Sequence, residues 1–525
     1  MNHIRHTLLR FLPMLCFFVI LSCNDVQYAD EIQSGNQPGK AARTGSFPTI
    51  KVLTYNTFLL RDTSAAATTQ WSQQARAEKL GDAPFLKNYD VLLLQECFDN
   101  TAAGKLRQKL LTTFPYQTPI VGQTKNGWDK TSGDWRDISS GGFENGGVMI
   151  ASKYPIVRKE QYIFPAGCDF EAYSLKGFAY AEIVKDGKHI HFISVHTQST
   201  QPSCKGNEVQ IREQQLGKMK SFIDSLNIPA DEMVIYGGDF NIIKSSPEYP
   251  KMLQILNVNA PIYKGLPSTW DTKNNTMASY HYPYPANNQE YLDYILVSNN
   301  HLVPPTWQNV AFDPVSSSLM TYTNLTGDKY YWADYSDHYP VEGTIYPDQT
   351  TPVHSAKFRK YDRVSLKSVS TGKYINMNLS KPDDWLTVSS TQPDEKTWFN
   401  IINIGDNDNY FDLKEGLVRV ESSERINNFW YWESVNSGSY YFYPKQGKSL
   451  TNLRIQIVKK KAGNTSTSIE DGDIVAFKDK TTAGNFYYLQ VYSKSATDWA
   501  YLNGTGLTQD VQFEVKINNT NPQPF

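Results

Sequence analysis

Apolar runs that end abruptly on a polar residue recur through the first part of the chain. Lys51-Val52-Leu53-Thr54-Tyr55-Asn56 reads as a strand closing on Asn56. Asp90-Val91-Leu92-Leu93-Leu94-Gln95-Glu96 is apolar without alternation, as in a strand covered on both faces, and it closes on Glu96. Gly146 to Ala151 predicts another strand. After a turn at Gly187-Lys188, His189 to His196 alternates apolar and polar positions and ends on His196. Met233 to Tyr236 opens through Gly237-Gly238, which permit close backbone approach, onto Asp239-Phe240-Asn241. Tyr291 to Val297 carries Asp293 within a strand. Val341 and Ile345 mark a strand directly after Tyr335-Ser336-Asp337-His338-Tyr339-Pro340, which sets Asp337 and His338 at a strand mouth. Helical character falls on Gln70 to Leu86 and Ile211 to Leu226. A single polar strand end is ordinarily just solvated; the recurrence is what points to one site.

The pattern changes after a polar linker at 348–357. From 358 to 525 the chain shows short alternating strands, turns and many aromatics, which predicts an all-β module. Three four-strand units can be laid over one another. They run from Val364 to Ile401, from Tyr410 to Tyr443 and from Ile474 to Val515, and suggest a β-trefoil with an Ig-like sandwich as the alternative. Trp430-Tyr431-Trp432 reads as core plus one exposed face, or as a stacking surface for a glycan or lipid headgroup. Lys459-Lys460-Lys461 reads as a solvated loop, with contact to anionic lipid as the other reading.

At the other end, His3, Arg5 and Arg10 precede an apolar run, Phe11 to Leu21, too short to span a bilayer and shaped like an export signal over residues 1–22. Ile20-Leu21-Ser22-Cys23 resembles a lipobox, in which Cys23 would be acylated; cleavage of an ordinary signal near Ser22 or Ala29 is the alternative. Residues 23–47 read as a flexible tether. These features predict a secreted or lipid-anchored bacterial envelope protein. At 525 residues, two or three domains are expected, including a catalytic one over 48–347. A net charge of -2 argues against a surface built to embrace nucleic acid. Of five cysteines, Cys16 lies in the signal and Cys23 would carry lipid. That leaves Cys97, in an apolar context, with Cys168 and Cys204, and export permits a Cys168–Cys204 disulfide.

Asn56, Glu96, His196, Asp239, Asn241, Asp293, Asp337 and His338 thus fall at or beside strand ends. Carboxylates without a thiolate suit a hard cation, Mg²⁺ or alternatively Mn²⁺ or Co²⁺. Two histidines can supply a base and an acid for displacement at phosphorus. There is no GxxxxGK[ST] loop, which argues against an ATP-dependent enzyme.

The ordered set TYN, LLQE, SVHTQ, GGDFN, YLDY and SDHYP resembles the endonuclease/exonuclease/phosphatase superfamily. Within it, QECFDN (95–100), WDKTSG (128–133), ENGGVMIASKYPI (144–156), KGFAY (176–180) and YSDHYPVEGTI (335–345) resemble the secreted bacterial sphingomyelinases, whose disulfide spacing Cys168 and Cys204 match. The resemblance runs from about Lys51 to Pro347. It implies a four-layer α/β/β/α sandwich and an Mg²⁺-dependent phosphodiesterase, active as a monomer at a membrane surface and releasing ceramide and phosphocholine from sphingomyelin. It implies Glu96 as the cation's main ligand, helped by Asn56 and the Asp337-His338 corner. His338, oriented by Asp293, would be the base, and His196 would protonate the leaving oxygen or stabilise its charge. Asn241 would donate to a phosphoryl oxygen, and Asp239 would position metal, water or histidine. The family's second, edge cation would fall on Asn100, Glu144 and Asn145, although an acid is usual at 145. The family's membrane hairpin would fall on Phe312 to Tyr335, whose centre, Thr323 to Asp328, is more polar than expected. Rival readings are a phosphodiesterase or phosphatase on another head group or phosphoinositide, a DNase-like nuclease, and an inactive binding protein whose C-terminal module takes a glycan or cell-surface ligand.

Overall fold

The computed structural model describes residues 47–61, 72–136, 144–272, 275–282, 288–305, 307–323, 329–345, 361–380, 385–403, 413, 415–422, 425–436, 439–446, 455–460, 469–480, 485–494 and 497–517. The leader with Cys23, nearly all of the tether, the 348–357 linker and the hairpin centre at 324–328 lie outside them.

The strands of the first part are β1 (Ile50–Asn56), β2 (Val91–Gln95), β3 (Tyr116–Gln117), β4 (Lys130–Gly133), β5 (Met149–Ser152), β6 (Ile156–Ile163), β7 (Gly177–Lys185), β8 (Lys188–His196) and β9 (Met233–Asp239). They continue with β10 (Ile262–Gly265), β11 (Trp270–Asp271), β12 (Gln289–Glu290), β13 (Asp293–Val297), β14 (Gln308–Ala311), β15 (Val315–Thr323), β16 (Lys329–Asp334) and β17 (Val341–Ile345). The helices are α1 (Gln73–Gly81), α2 (Asn100–Leu110), α3 (Asn207–Ser225), α4 (Glu248–Leu256) and α5 (Thr276–His281). The helix expected to run to Leu86 stops at Gly81 and resumes as a 3₁₀ turn, Pro84–Asn88, because Pro84 has no amide hydrogen to continue the ladder.

Two sheets form, ordered β10-β14-β17-β1-β2-β5-β3 and β13-β9-β8-β7-β6-β4. Val52, Val91, Leu93, Val148 and Ile150 face inward and join one core with Ala179, Ala181, Phe192 and Ile235 of the second sheet. Their neighbours Leu53, Tyr55, Leu92 and Leu94 face the other way, into a core with Ala77, Leu80, Ala103 and Leu106 of α1 and α2. Leu216, Met219 and Met252 of α3 and α4 cover the far side of the second sheet. This is the expected α/β/β/α sandwich, its layers set by strand alternation. Gly237 lets the sheets approach, since a Cβ there would lie 2.4 Å from Leu93 Cδ1 and push that side chain aside. Cys168 and Cys204 are disulfide-bonded with their Cα atoms 5.6 Å apart, and Cys97 is free and buried. β15 and β16 form the hairpin expected between Phe312 and Tyr335, both of which are buried with their rings against Phe85 of the 3₁₀ turn, at 5.9 and 5.8 Å.

The C-terminal part is all β. A ring of antiparallel strands runs Tyr361–Ser368, Phe399–Asn403, Gly416–Ser422, Ile455–Lys459, Ile474–Lys480 and Phe513–Ile517, and the last pairs back onto the first. Three hairpins accompany it: Tyr374–Asn376 with Thr387–Ser390, Arg425–Asn436 with Ser439–Gln446, and Phe486–Lys494 with Thr497–Gly504. The second sequence unit, ending at Tyr443, omits Ile455–Lys459, which the ring includes. Trp430 is buried between Phe399 and Phe477, with ring centroids at 5.1 and 5.3 Å, so it belongs to the core and offers no stacking face. Of the lysine run, Lys459 departs from the solvated-loop reading, while Lys460 lies past the strand and is exposed. Lys459 ends a strand with its ammonium 2.7 Å from Asp473, and Lys460 donates to Gln512 Oε1 at 3.1 Å; Lys461 lies outside the described residues. Strand Arg425–Asn436 comes up against α5.

Candidate active site

Strand register assembles the site. β8 and β9 are parallel with His196 opposite Asp239, and β9 and β13 are antiparallel with Asp239 opposite Asp293. Three ionisable residues therefore stand on one rung of the second sheet. Across from them, β1 and β2 run parallel with Asn56 opposite Gln95, so that Asn56 and Glu96 meet the rung from the first sheet. Asp293 proves to be the first residue of its strand. Glu96 lies just past its strand with a φ of 55°, and Asn241 past its own with a φ of 49°. Such left-handed backbone is tolerated by asparagine and uncommon for glutamate. Gly147, with a φ of 70°, leaves room beside Glu96, whose Cα would be 3.2 Å from a Cβ there.

The side chains converge. Asn56 Nδ2 donates to Glu96 Oε1 and to Asp239 Oδ2, each at 3.0 Å, while Asn56 Oδ1 accepts from Phe58 N at 3.1 Å. His196 Nε2 lies 3.7 Å from Asp239 Oδ2 and 3.9 Å from Glu96 Oε1. His338 Nδ1 pairs with Asp293 Oδ2 at 2.9 Å, which leaves Nε2 on the side of Asp239 Oδ2, 3.8 Å away. Asn241 Nδ2 donates to Thr197 O at 3.2 Å, and its backbone N–H donates to Asp239 Oδ1 at 2.9 Å. Asp337 accepts from Ser336 Oγ at 3.3 Å. Ligand atoms close enough to share an ion fall into two groups, Glu96-His196-Asp239 and Asp239-Asp293-His338. Asp337 enters neither, although its charge acts on Glu96.

Electrostatics divides the two histidines. Burial, then the charges of Lys176 and His338, hold His196 well below the ordinary imidazole value. Burial pushes His338 down as well, but Asp293, Asp239 and Asp337 outweigh it and raise His338 well above that value. Burial, then Asp337, pushes Glu96 up to about 8, and burial pushes Asp293 up to about 6 against the pull of His338. Glu96 Oε2 is buried with no hydrogen-bond partner among the described residues. A buried, partnerless carboxylate oxygen amid further carboxylates and a neutral imidazole fits a hard divalent cation, whose charge would keep the acid ionised. A cavity of about 890 Å³ lies over these groups, walled in part by Phe58, Phe98, Phe170, Trp270 and Tyr282.

Two residues escape a reading of strand ends. Lys176 is buried, and its ammonium lies 3.1 Å from His196 Nε2, 2.5 Å from Glu171 and 2.8 Å from Thr197 O. It opens KGFAY, and a lone lysine before an apolar strand was the available signal. Arg76 is fully buried; its guanidinium donates to Thr57 O at 3.0 Å, Tyr335 O at 2.9 Å and Phe58 O, tying the loop after β1 to the segment before His338. Nothing in its helical stretch marks it.

The edge residues also come together, but around an amide. Asn145 Nδ2 donates to Phe98 O at 2.7 Å and to Asn100 Oδ1 at 3.2 Å, with Glu144 adjacent.

Fold and site together define a metal-dependent phosphoesterase of sandwich type. The family model for the Endonuclease/Exonuclease/phosphatase family matches residues 53–338. The chain is 43% identical over 449 residues to a sphingomyelinase C of Leptospira interrogans, covering 84% of this chain and 77% of that protein. Among solved structures, sphingomyelinase C from Streptomyces griseocarneus is 39% identical with a TM-score of 0.54, covering 57% of this chain and 100% of that one. A Staphylococcus aureus beta toxin mutant with bound magnesium ions is 38% identical with a TM-score of 0.54, over the same shares. The chain belongs to the endonuclease/exonuclease/phosphatase family and, within it, to the bacterial sphingomyelinases C.

Proposed function

We propose that the chain hydrolyses sphingomyelin to ceramide and phosphocholine, with Mg²⁺ as its cation and Mn²⁺ or Co²⁺ as substitutes. The observation that carries this is a rung of His196, Asp239 and Asp293 onto which His338 docks, so that two histidines of opposite proton affinity stand among buried carboxylates. Glu96, with the Asp239 carboxylate beside it, would hold the cation, and Asn56 and Asp337 would orient and charge that corner. When bound, the cation neutralises the phosphodiester and fixes a phosphoryl oxygen. Asp293 fixes the His338 tautomer, so that Nε2 takes the proton of the attacking water. His196 is neutral and accepts from the Lys176 ammonium, so the proton for the departing ceramide oxygen comes from this pair, with Lys176 its reservoir. Asn241 donates to the phosphoryl group. The test is purified protein on sphingomyelin vesicles, phosphatidylcholine vesicles and plasmid DNA, each with Mg²⁺ and with chelator. Metal-dependent release of phosphocholine from sphingomyelin is expected; cleavage of DNA alone would overturn the reading.

The division at 347, export with or without acylation of Cys23, and a monomeric state are part of the same proposal, as is membrane contact by the β15–β16 hairpin. The closed ring and three hairpins support a β-trefoil for the C-terminal domain. Its cell-surface ligand we place at a cleft of about 490 Å³ beside Trp385 and Trp499, where Asn376, Ser380 and Thr387 supply polar groups suited to a glycan. Trp385→Ala should then weaken cell binding without changing turnover of a soluble substrate.

A further inference from the structure

The edge position does not fit the second cation that the family resemblance places there. We propose that the side-chain amide of Asn145 takes over that cation's structural task, so that the chain binds one divalent ion and not two. Asn145 is buried, and its amide can face only one way. Gly147 N–H donates to Asn145 Oδ1 at 2.7 Å, so turning the amide over would set two N–H donors against each other. Nδ2 is thereby aimed at Phe98 O and Asn100 Oδ1, at 2.7 and 3.2 Å. Asn100 Oδ1 also accepts from Gln123 Nε2 at 2.7 Å. The two neutral oxygens a cation would need are therefore occupied by N–H groups, and an incoming ion would meet amide hydrogens. What remains is Glu144, whose Oε1 is buried without a partner among the described residues and whose carboxyl is pushed up by burial and by Asp99, itself taken up in capping α2. One carboxylate falls well short of the roughly six oxygens that Mg²⁺ or Ca²⁺ gathers.

The amide also does what a bound ion would do mechanically. It joins the 144–147 loop to the start of α2, where Asp99 caps the helix by accepting from Ala102 N at 2.7 Å. Gly147 O in turn accepts from Cys97 N at 2.8 Å, directly beside Glu96. The loop carrying Glu96 is thus braced by neutral hydrogen bonds that a chelator cannot remove.

Asn145→Asp is the decisive change. Its outer oxygen would join Phe98 O, Asn100 Oδ1 and Glu144 around one point, with the inner oxygen still accepting from Gly147. Mn²⁺ titration of the full-length protein, with free Mn²⁺ read by electron paramagnetic resonance, counts sites independently of any activity. One tight ion is expected in the wild type and two in Asn145→Asp, the second lost again in Asn145→Asp with Glu144→Gln. Two ions in the wild type, one of them lost on Glu144→Gln, would overturn the proposal. So would a count that stays at one in Asn145→Asp. Asn145→Ala should lower Tm equally with Mg²⁺ and with chelator; a drop seen only in chelator would point to a bound ion and overturn it as well.

Discussion

Two asparagines of this chain make the same contact in different company. Asn56 and Asn145 each fix their carbonyl oxygen on the N–H two residues ahead and turn their NH₂ onto two oxygens. At the centre those oxygens belong to Glu96 and Asp239; at the edge they belong to a peptide and another amide. A carboxylate keeps a second oxygen and its charge after accepting one hydrogen bond, as Glu96 Oε2 does, whereas a neutral carbonyl keeps neither. The amide therefore organises a cation site in one place and replaces one in the other. What decides is the count of anions, not the geometry of the asparagine.

The sharpest break of this comparison lies in the acids themselves. Glu96→Gln should lose several orders of magnitude in turnover with the circular dichroism spectrum unchanged, because it removes the cation's charged arm. Near-normal activity at saturating Mg²⁺ would mean that the centre does not depend on Glu96. His338→Ala should cost about 10²–10⁴-fold, the usual worth of a general base. Lys176→Met should cost on the order of 10²-fold on sphingomyelin, comparable to the loss of one preorganised electrostatic contact. The deficit should shrink on a nitrophenyl analogue whose leaving group needs no proton; an equal deficit on both substrates would leave Lys176 without a part in departure. Asp293→Asn removes the carboxylate that raises the His338 pKa. The base must be unprotonated, so activity rises with pH through that pKa, and the acid limb of kcat/KM should move to lower pH in the variant, with a reduced plateau. Glu144→Gln should be the mildest, within about threefold of wild type in kcat, since an acid that holds no ion lends the reaction no charge stabilisation; each tenfold would be about 1.4 kcal/mol. A loss approaching that of Glu96→Gln would erase the distinction between centre and edge.

How much of this the chain spelled out follows from where each signal sits. Asn56, His196 and Asp239 were legible because a strand's apolar pattern runs directly into them, and Asp293 because one sets out from it; register then does the rest. Glu96 was legible as a position but not as a left-handed residue, since sequence patterns carry no φ. Lys176 stands before its strand, where attention to strand ends does not look, and Arg76 is hidden in an ordinary helical stretch. The grouping of Glu96 with His196 and Asp239, with Asp337 outside, depends on distances of a few ångströms between sheets. In the C-terminal domain the weak spacing of the second unit concealed Ile455–Lys459. Whether Trp430 belonged to the core or to a stacking face stayed open because an aromatic run does not say which face is inward.

The rung of His196, Asp239 and Asp293 has a bearing on how such a chain can change over time. Side chains alternate faces along a strand, so inserting or deleting one residue within β8, β9 or β13 would turn that strand's member of the rung to the opposite side of the sheet. Point replacements can be tried singly at these positions, but a length change within the strands removes the function at one stroke. Indels should be confined to the connections between these strands, and descendants of this sequence should differ in the lengths of their loops while these three strands keep a common frame.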